Sequence, residues 1–138
     1  MSGSLSQYAE TAVLGHVVGK TSFTMPTTWL ALCTVTPTAA STGATITEAA
    51  YTGYARLATA GDWGTPTAGA PSTIFNSSAM TFAACTASTS TIIGAALLDS
   101  STIGAGNMIA WGSVASTVVS ATQTPATFAI NAFELTCV

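Results

Sequence analysis

From Trp29 onward the chain is written as short apolar runs broken by turn residues, and this pattern limits the fold more than any other feature. Trp29-Leu30-Ala31-Leu32-Cys33-Thr34-Val35 is β-rich and stopped by Pro37. Tyr54-Ala55-Arg56-Leu57-Ala58-Thr59 runs into a Gly61-Asp62-Trp63-Gly64 turn. Ala79–Ala83, Thr91–Leu98, Met108–Trp111 and Ser116–Ser120 follow, and a longer alternating run extends from Thr127 to Cys137. Seven or eight short strands with turn signals between them point to a sandwich or jelly roll.

Two of these runs, Trp29–Val35 and Ile92–Leu98, are apolar at successive positions instead of alternating. An antiparallel sheet with one wet face shows alternation, so strands apolar on both faces need cover from a helix, a loop or another chain. The stretches from Thr36 to Tyr51 and from Gly64 to Ser72 are mostly Thr, Ala, Ser and Gly. They are long for structureless loops in a compact domain, and read as arms that order against neighbouring subunits.

One helix precedes the strands. Ser4-Leu5-Ser6-Gln7 has capping-box form. Leu5, Tyr8, Ala9, Ala12, Val13, His16 and Val17 then fall on one stripe, and Gly19 and Lys20 suit the helix end. Leu14 and Val18 widen the apolar surface beyond what one contact needs, which marks them as candidate interface residues. The expected organisation is a single domain over 1–138, with a helix over 4–19 and a β-sandwich over 28–138. The fold class is all-β: an antiparallel sandwich or jelly roll with one N-terminal helix.

Charge sets the function classes. Two basic and five acidic residues, 5% of the chain, leave the surface to Ser, Thr, Ala and Gly. A free monomer keeps apart from its copies with mixed surface charge, so this chain reads as one covered by other chains. Nucleic-acid binding requires several cations to displace counterions, and a basic membrane-surface helix requires the same; neither is expected. The N-terminal residues lack signal-peptide character and no apolar run is long enough for a bilayer, so the reading is of a protein made and used without secretion. Cys33, Cys85 and Cys137 have no paired spacing and read as reduced core thiols.

No catalytic constellation emerges. His16 lies on the helix stripe without a Gly-x-Ser-x-Gly elbow or a placed Asp, and reads as a core or interface histidine. One His, three separated Cys and five scattered carboxylates match no metal spacing, and no glycine-rich phosphate cradle precedes a helix. No catalytic, cofactor or metal residues are therefore expected, nor an enzyme. Arg56, the one arginine, sits inside an apolar strand; buried, it needs a carboxylate, from its own chain or across an interface. Trp29 and Trp111 read as core. Trp63, in a Gly-flanked turn, reads as an interface anchor.

Leu5-Ser6-Gln7-Tyr8, Leu14-Gly15-His16-Val17 and Trp29–Thr34 running into Pro37-Thr38 resemble the start of a family of small structural proteins of tailed bacteriophages. Tyr51–Arg56, Gly94–Asp99 and Gly106–Gly112 are similar to that family's later strands, in the same order. Within it, the likeness leans towards the jelly-roll head cement protein of a Bordetella-infecting short-tailed phage. The resemblance implies a jelly-roll-like antiparallel sandwich and a homo-oligomer, dimer or trimer, on the outer capsid surface, made in the host cytoplasm. It would cement joints between major capsid subunits. The alternative is a receptor- or carbohydrate-binding sandwich on a head or tail fibre, for which Tyr51, Tyr54 and Trp63 are the suggestive aromatics.

Overall fold

The computed structural model describes residues 1–137. Its backbone opens with a strand, β1 (Ser2–Leu5), before the helix α1 (Gln7–Val17). Strands β2 (Trp29–Cys33), β3 (Leu57–Ala58), β4 (Ser72–Phe75), β5 (Met80–Thr81), β6 (Thr89–Leu98), β7 (Met108–Ser120), β8 (Thr127–Phe128) and β9 (Glu134–Cys137) follow. Seven form one curled sheet in the order β3-β2-β6-β7-β1-β9-β4, while β5 and β8 pair as a separate ribbon. Every pairing is antiparallel except β1 with β9. The result is the expected all-β sandwich with one helix.

Period-two geometry explains how β2 and β6 bury two faces. Leu30 and Leu32 lie opposite Leu97 and Ala95, and join Tyr51, Met80, Phe82, Cys85 and Phe133 in the main core beneath the ribbon. The intervening Ala31 and Cys33 lie opposite Ala96 and Gly94 and, with Leu98 and Met108, form a second cluster on the other face, against which Ile46 and Trp111 pack. Burying each Leu side chain contributes about 1.5–3 kcal/mol, so both faces add substantially to stability.

The cover for the second face comes from the chain itself, which corrects the reading of the Thr36–Tyr51 stretch as an arm for neighbours. Its threonines and serines close local turns: Thr38 N donates to Ser41 Oγ (3.0 Å) and Thr42 N to Thr45 Oγ1 (2.9 Å). Thr34 N to Thr47 O and Ala49 N to Leu32 O then zip the returning segment onto β2, both at 2.9 Å. Pro37 presses on β6 so closely that a Cβ on Gly94 would come within 2.8 Å of its Cδ. Likewise a Cβ on Gly43 would sit 2.0 Å from Ala105 O, so only glycine lets this loop reach the β6–β7 hairpin. Doubly apolar strands here signal a self-covering loop, not a missing partner.

The helix boundary also moves. Ser4 and Leu5 pair with β7, and Ser4 also pairs with β9, so the cap passes to Ser6, whose Oγ accepts from Ala9 N (3.2 Å) and donates to Met108 O. Gly19 at φ +68° ends the helix as expected. Only Ala9 of α1 is buried, so the expected apolar stripe is not a core stripe. No helix among the described residues is long and apolar enough to cross a membrane.

Other boundaries shift for local reasons. Met108–Trp111 and Ser116–Ser120 are one 13-residue strand, joined through a bulge at which Ile92 faces Thr117 but Gly94 faces Ser113. The run from Thr127 to Cys137 divides into β8 and β9 because Asn131 takes φ +61°, a left-handed conformation that Asn tolerates. β1 and β4 were not expected as strands. The outer edge of β4 is closed by the 64–67 segment, with Gly64 N donating to Phe75 O and Thr67 and Thr73 exchanging backbone bonds.

Candidate interaction surfaces

Of the four candidate interface residues, the structure turns two inward and leaves two in solvent. Arg56 is the clearest inward case. The loop returning to β2 places Glu48 opposite Cys33, and the Arg56 guanidinium meets that carboxylate at 2.7 Å (Nη2 to Oε1) and 3.1 Å (Nε to Oε2). Nη1 donates to the carbonyls of Ser100 (2.7 Å) and Ala105 (2.8 Å), and the side chain has no exposed surface. Tyr54 Oη donates to Glu48 Oε2 at 2.8 Å, sharing that oxygen with Arg56 Nε, and accepts from Leu32 N at 3.2 Å. Of the two pairings open to Arg56, this is the one within the chain. The cluster clamps the Glu48 loop, the strand end at Arg56 and the β6–β7 hairpin tip into one unit.

The clamp also governs neighbouring acids. Burial pushes the Cys33 thiol up to about 12, the Glu48 carboxylate adding to the rise and the Arg56 cation opposing it. Burial, and then the Glu48 charge that accepts its hydrogen bond, hold the Tyr54 phenol well above its usual range.

Trp63 is half-buried and stands edge-to-face on Phe133, with centroids 5.5 Å apart, while Phe128 meets the same ring at 5.4 Å. It anchors the 61–64 turn to the core of its own chain. Tyr51 is buried and packs edge-on to Tyr54 at 5.4 Å, so the aromatic trio considered for sugar binding is core packing. Trp29 and Trp111, expected in the core, are half-buried. Cys33 and Cys85 are buried free thiols as expected, but Cys137 is exposed, and so is His16, whose Nδ1 accepts from Phe23 N.

Leu14 and Val18, by contrast, are 67% and 75% exposed, and Val17 between them is 75% exposed. Positions i, i+3 and i+4 share a helix face, so the three side chains form one continuous apolar ridge. Leu14 also walls a groove of about 270 Å³ between α1 and the sheet, bounded by Leu5, Val13, Thr136 and Cys137. The ridge exists because Ala9, in the first turn, is the one buried residue of α1, while the last turn faces solvent.

A second open feature was not anticipated. β1 pairs with β7 only at Ala110 and Trp111, so among the described residues the distal half of β7 has β6 on one side and no strand on the other. Ser113 and Ala115–Val118 are exposed along it. Asn76 was missed as well: fully buried, it accepts from Phe133 N (2.8 Å) and donates to Ser78 O and Ala129 O, holding the corner between β4, β5 and β9.

No curated protein matches the chain. A family model does, over residues 4–136. That match does not single out the head cement protein of the Bordetella phage; it supports the broader group of short-tailed phage structural proteins. On this match, covering the helix, both clusters and every strand residue but Ser2, Gly3 and Cys137, the chain belongs to the podophage GP4 fiber I protein gp80 family.

Proposed function

We propose that this chain decorates the phage head and cements joints between major capsid subunits, docking through the α1 ridge. One observation carries the reading: Leu14, Val17 and Val18 stand in solvent on a chain with only 5% charged residues. An exposed apolar ridge on so neutral a protein favours contact made by desolvation, because there are few charges to steer or hold a partner. Binding therefore weakens little between low and high salt, and a stable joint buries at least about 1,000 Å² in total.

The family's description favours a second reading, a fibre subunit, which uses the same ridge against a neighbouring fibre chain. Densitometry of purified particles separates the two. Copies comparable in number to the major capsid protein support decoration. A small complement, located at a vertex or tail by antibody labelling, gives the chain to a fibre. Loss of the protein from particles on raising the salt alone would overturn the apolar docking mode under either reading.

A further inference from the structure

We infer that the outer edge of distal β7, Ser113–Ser120, is a strand-addition site whose occupant is the same edge of a second copy of this chain. Apart from its ladder with β6, the backbone of Val114–Val119 makes a single hydrogen bond among the described residues, from Thr117 Oγ1 to Ala115 O (3.0 Å). The remaining outward N–H and C=O groups fit only an extended backbone, which fixes the chemistry of the partner. β4, an end strand of the sheet, differs: the 64–67 segment closes its outer edge from within the chain.

The choice of a second copy rests on what the edge lacks. Proteins keep their own edges from pairing with Lys, inward charges, Pro or bulges; the bulge here falls between Ser113 and Thr117, and Thr117–Ser120 beyond it runs in unbroken register with Thr89–Ile92. Here no charged residue occurs between Asp99 and Glu134, and no proline lies in β7. Two such edges meet antiparallel across a two-fold axis without opposing like charges. Beside the edge, a groove of about 600 Å³ between Ser116–Val119 and Gln123–Thr127 admits the side chains an added strand brings. Pairing over one short edge buries little area, so the dimer is weak and concentration-dependent. The inference does not depend on whether the chain serves a head or a fibre.

Hydrogen exchange on the full chain, read at two protein concentrations beside light-scattering mass, tests it. In the native protein the Ser113–Ser120 amides slow at least about tenfold from dilute to concentrated solution as the mass moves towards a dimer. Val118→Lys abolishes both changes; Val118 is 46% exposed, so the lysine stays in solvent in the monomer. Ser116→Lys, also at an exposed position, gives the same result and serves where V118K fails to fold. Leu14→Lys leaves the protection intact. Concentration-independent exchange in the native chain, or a dimer that survives both lysines, overturns the inference. Protection that appears only on adding purified particles overturns the second-copy occupant and gives the edge to another chain's strand.

Discussion

β6 and β7 form one long hairpin whose two ends behave as different materials. At the end near Leu98 and Met108, both faces are covered by the chain's own segments, and a buried Glu48–Arg56–Tyr54 cluster pins the loops that cover them. At the end near Thr89 and Ser120, the residues are Ser, Thr, Val and Ala, much of β7 is exposed, and one edge is open. The difference reverses an intuition drawn from composition. Strands that are apolar on both faces invite the inference of a covering partner, yet here they are the self-sufficient part. The surfaces left for other chains are the plain ones: an edge without charge and a helix ridge whose side chains never reached the core.

The comparison breaks most visibly at the clamp. Removing one partner of a buried ion pair strands the other, at a cost of about 3–5 kcal/mol. Arg56→Met and Glu48→Gln should each lower denaturant-unfolding stability by that order, whereas Val118→Ala at the distal end should change it by less than about 1 kcal/mol. Combining Glu48→Leu with Arg56→Met should recover part of the loss, because apolar replacement of a whole buried pair is often near neutral. Recovery stays partial because the carbonyls of Ser100 and Ala105 and the hydroxyl of Tyr54 lose their partners too. A cost below about 1 kcal/mol for either single variant would mean that the two ends of the hairpin are held with similar strength.

What the sequence disclosed follows the same division. The paired apolar runs Trp29–Val35 and Ile92–Leu98 were legible because burial on both faces leaves an uninterrupted pattern. Gly19 was legible because a helix end demands its conformation. β1 was not, since Ser2-Gly3-Ser4-Leu5 has no strand signature and becomes a strand only by entering between β7 and β9. Asn76 was hidden for a related reason: an Asn after Phe75 and before two serines reads as a turn residue, and only its three side-chain bonds reveal a corner post. Arg56 carried its signal openly, as a lone cation in an apolar strand; which carboxylate it meets depends on the Thr-rich loop folding back. Leu14 and Val18 read as surplus to one stripe, but Val17 on the stripe itself is as exposed as Val18, so exposure does not set the two apart.

A smaller effect sharpens the contrast through pH. Cys33, buried beside Glu48, titrates at about 12 in the folded chain against an ordinary value of 9.0, and Tyr54 is raised in the same direction. Both groups are held neutral on folding. Their contribution is fully present below the unfolded pKa and is lost as pH climbs from there towards the folded one. Melting temperature should therefore stay level up to about pH 8.5 and decline above it. Cys33→Ala, whatever it costs at neutral pH, should flatten that alkaline decline, with Tyr54 supplying what remains. An alkaline decline equally steep in Cys33→Ala would remove the thiol from the account.

The smallest stability effect belongs to the helix ridge, and its smallness makes it useful. Leu14 and Val18 are exposed, so Leu14→Lys and Val18→Lys should shift stability by no more than about 0.5 kcal/mol. Val18 caps the helix C-terminus, where a cation is favoured by the dipole, so its lysine variant should sit at the stable end of that range. Docking responds differently, because a lysine set into an apolar contact must be desolvated without a partner. Co-sedimentation of each variant with particles stripped of the native protein should show lost occupancy while thermal melts stay unchanged. A variant that both melts and binds as the native chain does would show that the ridge, though open, is not where the particle is held, and would leave the β7 edge as the open surface still to be filled.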